Sequence, residues 1–430
     1  MTVRFGGLVS YHIGGGWGTE TPNPVSDAPA YVIRGTDIPR VAVGDLHSVP
    51  LRFHRSSNLA SRSLRAGDIV LEVSGGSKGQ PVGRALYVTD ELLARFDHPV
   101  MCASFCKLVR IDPDLAVPAY VFRDLQLGYR DGRLESFQVQ STGITNFKWK
   151  AFLEHFDVSL PPVRVQRRVA GVLTSMDDLI ENNRRRIEVL EEMARAIYRE
   201  WFVRFRFPGH QAARLVSSEL GLTPEGWDLT AASDVLQINP RIKLDKGVSH
   251  PFINMGDLSE RGMSCRPSEY RSGGSGSKFV VGDTLFSRIT PCLQNGKTGL
   301  VQTLGDSEVG RGSTEFIVLR GRLVGSAYTY CLARNERFRA HAEASMSGAS
   351  GRQRVRNECF DSYLIAVPPR ELAQQFEQAC QPMFEQIRIL TDEMSTLVRL
   401  RDQLLPKLVT GQIDVSGLDL EAVDAKEEAR

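Results

Sequence analysis

The 430-residue chain lacks the short motifs of several catalytic protein classes. It contains no GxxxxGK[ST] phosphate loop, no GxGxxG after a strand and no HExxH pair. The Asn-Pro-Pro-aromatic tetrapeptide of amino-group DNA methyltransferases is also missing. The eight histidines are scattered and show no metal-binding spacing. These absences predict a chain with no catalytic residues, no metal ligands and no cofactor of its own.

Cysteine is scarce, and charge of either sign shows no large excess. The seven cysteines are an odd number, are dispersed and include no CxxC pair, which argues against a disulfide framework and against zinc and fits a reducing cytoplasm. The net charge is only +2, so a nucleic-acid surface would have to arise from local clustering. The first residues form no long apolar segment, and no run of about 18 apolar residues occurs, so neither a secretory signal nor a membrane partner is expected.

Against this background, one pattern occurs twice. A set of ten positions with alternating spacings of four and three residues occurs twice in the chain. Each position of the second set lies 207 residues after its counterpart in the first (376 − 169 = 207). The first set is Val169, Leu173, Met176, Ile180, Asn183, Ile187, Leu190, Ala194, Ile197 and Trp201, and the second is Phe376, Cys380, Met383, Ile387, Leu390, Met394, Leu397, Arg401, Leu404 and Leu408. This spacing is typical of helices that pack lengthwise on one another. The predicted helix seam consists of Met176, Ile180, Ile187, Leu190 and Ile197 in the first set and Ile387, Leu390, Met394, Leu397 and Leu404 in the second.

Two proline pairs divide the chain. Pro161-Pro162 and Pro368-Pro369 each close a block punctuated by glycine, proline and serine, and each precedes one of the striped segments. We predict a long helix from residue 163 to about 205, and a second from 370 that is kinked or split near Pro382. The predicted segments are a first module, a helix, a second module, a second helix and an acidic mobile tail, at 1–162, 163–207, 208–369, 370–413 and 414–430.

The two modules also resemble each other internally. GDIVLEV (67–73) matches GDTLFSR (282–288), and SFCKLVRI (104–111) matches TEFIVLR (314–320), in the same order along the chain. We therefore predict an α+β fold: two similar α/β modules separated by two long antiparallel coiled-coil helices, with pseudo-twofold symmetry. The alternative is two unrelated domains that share common strand patterns. On the stripe, Asn183 and Arg401 either set helix register or lie exposed at a helix edge.

Polar segments rich in arginine, lysine and amides adjoin the predicted strands in both modules. Arginine and lysine bond the edge of guanine, asparagine and glutamine that of adenine, and serine and lysine also hold phosphates. The alternative is that these segments are ordinary solvated loops. The candidate nucleic-acid contacts are Ser74, Lys78, Asn146 and Lys148 in the first module and Arg288, Gln294, Asn295, Lys297, Arg352, Gln353 and Arg354 in the second.

Taken together, several segments resemble the specificity subunit (HsdS) of type I restriction–modification systems over nearly the whole chain. The opening GGGWGTETP and YVIRGTDIPR (31–40) look like one type of target-recognition domain. INPRIKLDKGVSHPFINMGDL (238–258), RITPCLQNGKTGLV (288–301), GSTEFIVLR (312–320) and SGRQRV (350–355) look like another. Residues 166–205 resemble the central helical region of that family, and LRDQLLPKLVTGQI (400–413) resembles the end of its C-terminal helical region.

This resemblance implies a non-catalytic, cytoplasmic protein of a bacterium or archaeon. Each recognition domain would read one half of a split double-stranded DNA site, and the helices would space the halves and bind two methylation subunits. S-adenosylmethionine would belong to the methylation subunits, and ATP and magnesium to the restriction subunits. Two other functions stay open: a single-chain DNA methyltransferase or nuclease with degenerate motifs, and an adaptor that binds only proteins.

Overall fold

The structure, a computed structural model, describes residues 1–75, 81–141, 143–245, 247–305, 307–349 and 351–417. The chain forms two compact units. The first comprises Met1–Glu181 and Thr396–Arg430, and the second comprises Asn182–Ser395. Both unit boundaries fall inside long helices, so each unit contains a segment of both helices.

The elements of the first unit alternate short strands with short helices and end in a long helix. They are β1 Thr2–Arg4, β2 Val9–Gly14, β3 Ala28–Ile33, α1 Ile38–Val41, β4 Leu51–His54, α2 Ser56–Arg62, β5 Ile69–Glu72, β6 Ser74–Gly75, β7 Ala85–Tyr87, α3 Asp90–Leu93, β8 Val100–Cys102, β9 Cys106–Ile111, α4 Pro118–Arg130, β10 Gln138–Ser141, β11 Ile144–Phe147, α5 Trp149–His155, β12 Asp157–Ser159 and α6 Val163–Tyr198. A π-helical turn, Arg199–Val203, continues α6.

The second unit repeats this alternation. Its elements are β13 Leu215–Ser218, β14 Gly221–Pro224, β15 Asp228–Ala231, α7 Ala232–Val235, β16 Leu236–Ile238, β17 His250–Ile253, β18 Ser264–Cys265, β19 Glu269–Arg271, β20 Ser277–Phe279, β21 Thr284–Ser287, β22 Thr298–Val301, β23 Gly310–Gly312, β24 Phe316–Gly321, α8 Ser326–Arg334, α9 Glu336–Ala344, β25 Leu364–Val367 and α10 Arg370–Val409. The four segments that match between the modules in the sequence are thus present as strands β5, β9, β21 and β24.

The two units share one sheet topology. The main sheet of the first has the order β2-β9-β5-β7, and that of the second has the matching order β16-β24-β21-β22, with β18 added at its edge. A smaller sheet is β4-β3-β8 in the first unit and β19-β17-β23-β20 in the second. In both smaller sheets the central strand pairs antiparallel with one neighbour and parallel with the other. The two units therefore have the same strand order and the same strand directions, which supports the predicted duplication.

The same buried ion pair stabilises both main sheets. Asp68 accepts hydrogen bonds from Nε and Nη2 of Arg110 at 2.7 and 2.8 Å. Asp283 accepts the same pair from Arg320, both at 2.7 Å. Both aspartates are almost fully buried, so each requires such a two-pronged partner. The matching GD dipeptides of the sequence therefore mark equivalent structural positions.

The two long helices pack side by side within each unit. In the first unit, Val169 and Leu173 of α6 share a core with Leu405 and Leu408 of α10. In the second unit, Ala194 and Tyr198 of α6 share a core with Phe376 and Cys380 of α10, among other residues. The start of α6 thus meets the end of α10, and the end of α6 meets the start of α10, so the helices run antiparallel. All twenty stripe positions are buried or half-buried.

Helix α10 is continuous from Arg370 to Val409, so a split at Pro382 is wrong, while the alternative of a kink there stays a prediction. A proline inside a helix removes one backbone hydrogen bond and leaves the carbonyl four residues earlier without its donor. Pro382 and Gln378 are both exposed, so water can satisfy that carbonyl. The neighbouring Cys380 and Met383 pack in the core and hold the helix together.

The polar stripe residues are not exposed at a helix edge. Arg401 of α10 donates from Nη1 to Asp177 of α6 at 2.7 Å and pairs also with Asp402. Asn183 is buried. Beyond α10, Val415 is buried and Arg168 donates to its carbonyl at 3.2 Å, so the start of the predicted mobile tail is packed. The rest of that tail lies outside the described residues.

Side chains of the long helices also cap a helix in each unit. In the first, Gln166 of α6 accepts from the amide of Val117 at the start of α4, at 3.0 Å. In the second, Glu377 of α10 accepts from the amides of Ala327 and Tyr328 at the start of α8, at 3.1 and 3.0 Å. The first amides of a helix lack partners within it, so these bonds fix α4 and α8 to the long helices. The sheets are thereby held in a defined position against the helices.

Leu390→Asp is expected to destabilise the protein by about 3–5 kcal/mol, because Leu390 is almost fully buried and the new carboxylate would have no counter-ion. Ile389→Asp, an exposed position one residue away, is the matched control and should change stability by less than about 0.5 kcal/mol. Urea unfolding followed by circular dichroism measures both. Equal unfolding midpoints for the two variants would contradict the packing of α10 described above.

Glu191→Gln is expected to remove part of the pH dependence of stability. Burial raises the pKa of Glu191 above its ordinary value of about 4.5, although the amide of Met263 and the hydroxyl of Tyr330 both donate to it. The unfolded chain therefore releases this proton at lower pH than the folded chain, so the contribution of Glu191 to stability declines as pH rises above about 4.5.

The urea midpoint of Glu191→Gln should therefore improve relative to the unsubstituted chain between about pH 5 and pH 7. Glu188→Gln, at an exposed position of the same helix, is the control. A difference between Glu191→Gln and the unsubstituted chain that stays constant with pH would argue against the assigned burial of this carboxyl group.

Candidate nucleic-acid interface

The first unit has a large cleft beside its main sheet, here called the first cleft. Its volume is about 720 Å³. It lies between the segment that follows β2, the turn that enters β9 and the hairpin of β10 and β11. The lining residues include Trp17, Thr36, Glu72, Ser74, Arg84, Ser104, Phe105 and Ile144.

The charged groups of the first cleft are neutralised by one another. Glu72 is almost fully buried and accepts from Nε and Nη2 of Arg84 at 2.8 and 2.6 Å. Arg34 makes the same kind of two-pronged bond to Asp37, at 2.8 and 2.9 Å. A Cβ atom on Gly35 would lie 2.5 Å from Oε1 of Glu72, so only glycine allows this close approach. The wall of the first cleft is therefore polar in places but carries little unpaired charge.

Apolar side chains are the freely accessible part of this cleft. Phe105 is 55% exposed, Ile144 41% and Trp17 37%. The guanidinium of Arg52 lies 4.3 Å from the centroid of the Trp17 ring and is itself paired with Glu20 at 2.9 Å. This cation–π contact holds the indole against Arg52, which is not itself among the residues that line the cleft. The carbonyl of Phe105 accepts from the amides of Val73 and Ser74, which fixes its backbone while the ring stays exposed.

Two of the predicted contacts in the first unit lie together. Ser74 is in β6, which pairs with β11, and its hydroxyl donates to Oδ1 of Asn146 at 2.8 Å. Asn146 is exposed, and Lys148 is exposed at the N-cap of α5. Lys78 lies outside the described residues. Asn146 and Lys148 do not lie in a solvated loop, because Ile144–Phe147 form strand β11 and Lys148 is the N-cap residue of α5. Ile144, Thr145 and Phe147 favour a strand, and Gly143 turns at φ 79°.

The second unit has a cleft at the corresponding place, here called the second cleft, with a volume of about 580 Å³. It is bordered by the segment after β16, the turn that enters β24, the residue after β21 and strand β20. The first two borders correspond to the segment after β2 and the turn that enters β9 at the first cleft, whereas β20 takes part only here and the β10–β11 hairpin only there. The lining residues include Asn239, Arg241, Ser277, Lys278, Arg288, Thr314 and Phe316.

The second cleft is cationic. Arg241, Lys278 and Arg288 line it, and no aspartate or glutamate does so among the described residues. Arg288 is half-buried and donates from Nη2 to the carbonyl of Val355 at 2.7 Å. Within the described part of the chain, Arg241 and Lys278 have no acidic partner. Three cations on one concave surface without a carboxylate favour an anionic ligand.

Three of the predicted contacts in the second unit bond to groups of the same unit. Gln294 donates to Oε1 of Glu343 at 2.8 Å, and Asn295 donates to Oε1 of Glu260 at 3.0 Å. Lys297 is half-buried and donates to the carbonyl of Met255 at 2.9 Å. All three positions therefore hold the turn 291–297 to the remainder of the unit, and none of them lines the second cleft.

The segment 347–354 brings the other predicted residues toward strand β21. Arg354 pairs backbone to backbone with Ile289 and Ser347, and its guanidinium bonds to both carboxylate oxygens of Glu315. This hydrogen bond lowers the pKa of Glu315. Arg352 is exposed and Gln353 is half-buried, and neither side chain has a hydrogen bond within the described ranges. These two side chains are thus available to a ligand, while Arg354 is held by its acid.

Sequence reasoning missed the residues that give each cleft its character. Trp17 and Phe105 in the first unit and Arg241 and Lys278 in the second were not among the candidates. A signal was present for two of them, because Trp17 lies in GGGWGTETP and Arg241 lies in INPRIKLDKG, two of the segments that carry the resemblance. Phe105 and Lys278 have no local signal, since they reach the clefts only through the pairing of distant strands.

No cluster of three or more histidine, cysteine, aspartate or glutamate side chains that could hold a metal occurs among the described residues. All seven cysteines are free. No helix in the described ranges is long and apolar enough to span a membrane.

The chain is similar in sequence to known specificity subunits. It is 25% identical over 285 residues to the type I restriction enzyme MjaIX specificity subunit of Methanocaldococcus jannaschii, covering 62% of each chain. It is 29% identical over 194 residues to the type I restriction enzyme EcoEI specificity subunit of Escherichia coli, covering 44% of this chain and 30% of the other. The chain thus spans less than two thirds of the length of both relatives. No family model matches it.

A solved structure has the same fold. The type I restriction–modification S subunit from M. genitalium superposes with a TM-score of 0.56 at 12% sequence identity, over 95% of both chains. At this identity the likeness concerns the fold, and it confirms the predicted class of mixed helix and sheet with long helices.

Proposed function

We propose, from the premise that this chain belongs to the family of type I restriction–modification specificity subunits, that it is a sequence-reading DNA-binding subunit without catalytic activity. The observation that carries the proposal is the pair of corresponding clefts, one in each unit of a duplicated fold. Because both clefts occupy the same place in the same topology, one kind of ligand is expected at both. The cationic second cleft favours a polyanion such as DNA.

Each unit is proposed to read one half of a bipartite site. The first cleft presents Trp17, Phe105 and Ile144, whereas the second presents Arg241, Lys278 and Arg288. Surfaces of such different chemistry would bind different base sequences. The recognised site is therefore expected to be asymmetric, with two unlike halves and an unread gap between them. The five predicted segments, from 1–162 to 414–430, remain the proposed division into readers, helices and tail.

The antiparallel helices are proposed to set the length of the gap. Each unit holds a segment of both α6 and α10, and polar caps from these helices fix α4 and α8. A recognition unit that is bonded to a helix in this way moves with that helix. The pseudo-twofold relation of the two units is part of the same proposal.

The helices are also proposed to bind two methylation subunits, with restriction subunits completing the assembly. Their outward faces carry apolar side chains that a soluble helix pair does not need, which is typical of a protein-binding surface. These exposed side chains are Leu179, Val189 and Met193 on α6 and Ile389, Val398 and Leu400 on α10. S-adenosylmethionine is expected to bind the methylation subunits, and ATP and magnesium the restriction subunits. The cytoplasmic location inferred from the sequence stays a prediction.

Lys278→Ala is expected to weaken binding to all duplexes alike, because lysine in a cationic cleft would contact a phosphate. The slope of log K against log salt concentration should become shallower by about 0.9.

Arg352→Ala is expected instead to relax the base preference at one position of one half-site, at a cost of about 1–3 kcal/mol of binding free energy. Binding to a set of single-base variant duplexes at several salt concentrations measures both effects.

Arg322→Ala is the control for these variants. Arg322 is exposed and follows β24 at the end remote from the second cleft, so its loss should leave both affinity and base preference unchanged. If Lys278→Ala and Arg322→Ala bind every duplex equally well, the second cleft is not a DNA surface.

Ile389→Asp is expected to retain the fold but to lose co-elution with methylation subunits, because it places a charge on the proposed docking face. Size-exclusion chromatography of the co-expressed subunits provides the measurement. Val25→Asp, a change at an exposed apolar residue in the turn between β2 and β3, is the control and should assemble normally. Unaltered co-elution of Ile389→Asp would place the docking surface elsewhere.

Two experiments distinguish the proposed function from its alternatives. Gel shifts with mixed duplex DNA, with and without methylation subunits, separate a DNA reader from an adaptor that binds only proteins. Binding of S-adenosylmethionine to the chain alone would identify a methyltransferase; we expect no binding. Modified bases mapped across the genome, in cells with and without this chain, should reveal one bipartite motif that depends on its presence.

A further inference from the structure

We propose that the first cleft is a pocket for a single nucleobase. Its volume of about 720 Å³ lies within the range of about 300–1,000 Å³ that is common for sites of small organic ligands. A groove surface that only touches the edges of paired bases does not need a cavity of this depth. The occupant is therefore expected to enter the cleft, and its chemistry can be argued from the walls.

The walls fit a flat ring. Trp17 and Phe105 place aromatic side chains in the lining, and Ile144 adds an apolar side chain at the tip of the β10–β11 hairpin. The contact of Arg52 with the Trp17 ring restrains that ring before a ligand arrives. Stacking on such aromatic side chains is the usual way in which proteins bind unpaired bases.

The edges of the cleft fit polar ring atoms rather than a charge. The hydroxyls of Thr36 and Ser104 line the cleft and make no hydrogen bond within the described residues. Arg84 is neutralised by Glu72, and Arg34 by Asp37, so among the described lining residues no unpaired cation is left for a phosphate. A neutral heterocycle with donors and acceptors on its rim matches both properties.

The choice of a base over other flat neutral ligands rests on the proposed function. The corresponding second cleft is lined by three cations and is suited to the DNA backbone. A base pocket in the first unit would serve the other half of the proposed bipartite site. Two sources of the base are possible: a nucleotide extruded from the DNA duplex, or a free nucleoside. In the first case, the energy of unstacking the base is offset by its contacts in the pocket.

The test uses the full-length chain, together with methylation subunits if stable DNA binding requires them. In one arm, 2-aminopurine replaces each purine of the recognised half-sites in turn, and its emission is followed as protein is added. In the other arm, deoxyadenosine, thymidine, deoxycytidine and deoxyguanosine are titrated singly. The emission of Trp17 is then isolated as the difference between the unsubstituted chain and Trp17→Phe.

Phe105→Ala is the test variant, because its ring is exposed and its removal leaves the core intact. Leu115→Ala, also an exposed apolar side chain of the first unit, is the matched control. Phe105→Ala is expected to lower affinity for the base by about 5- to 150-fold, whereas Leu115→Ala should not change it. Circular dichroism spectra of both variants confirm that they are folded.

A change of 2-aminopurine emission at one position, lost in Phe105→Ala and kept in Leu115→Ala, supports a base extruded from the duplex. Saturable quenching of Trp17 by a nucleoside, with the same dependence on Phe105 and no response in the duplex, supports a free base. If neither signal appears while the gel shift persists, the pocket proposal is overturned and the proposed function stands. If no assembly binds DNA, the proposed function fails and the nucleoside titration alone decides the pocket.

Discussion

The packing of α6 against α10 is the interaction on which the other features depend. In each unit the stripe residues of one helix share a hydrophobic core with those of the other and with the sheet of that unit. Gln166 and Glu377 then attach α4 and α8 to the same helices. The helices are therefore part of both cores rather than a linker between finished domains. This explains why the chain divides within the helices and not at their ends.

Duplication followed by divergence accounts for the two clefts. The order of the main sheets and the buried pairs Asp68–Arg110 and Asp283–Arg320 are the same in both units. The residues that border the clefts differ, with an aromatic and apolar set in one unit and a cationic set in the other. A shared scaffold with unlike clefts is well suited to the recognition of an asymmetric ligand. The pairing of charges in the first cleft is what separates its chemistry from that of the second.

Much of the fold could be predicted from sequence because its signals are local. The 4-3 spacing specifies a helix face, and short β-branched runs such as those of β5 and β24 specify strands. The continuity of α10 could not be predicted from Pro382 alone, since it depends on tertiary packing of Cys380 and Met383 and on solvent access at Gln378.

The site was less predictable because it depends on contacts between distant segments. Gln294 and Asn295 look like ligand-binding amides in the sequence, but Glu343 and Glu260 occupy them in the folded chain. Phe105 reaches the first cleft only because β9 pairs with β5, and nothing in its own segment marks it. Residue type indicates what a side chain is able to bind, whereas the fold decides which side chains remain available for a ligand.

The most direct test of the central claim is a pair of seven-residue insertions, one after Glu181 in α6 and one after Ser395 in α10. Seven residues preserve the phase of the stripe and lengthen each helix by about 10 Å, the rise of about 3 base pairs. The DNA site selected by this variant, with its methylation subunits, should keep both half-site sequences and have a longer gap. An unchanged gap, or altered half-sites, would contradict the proposal that the paired helices determine the spacing.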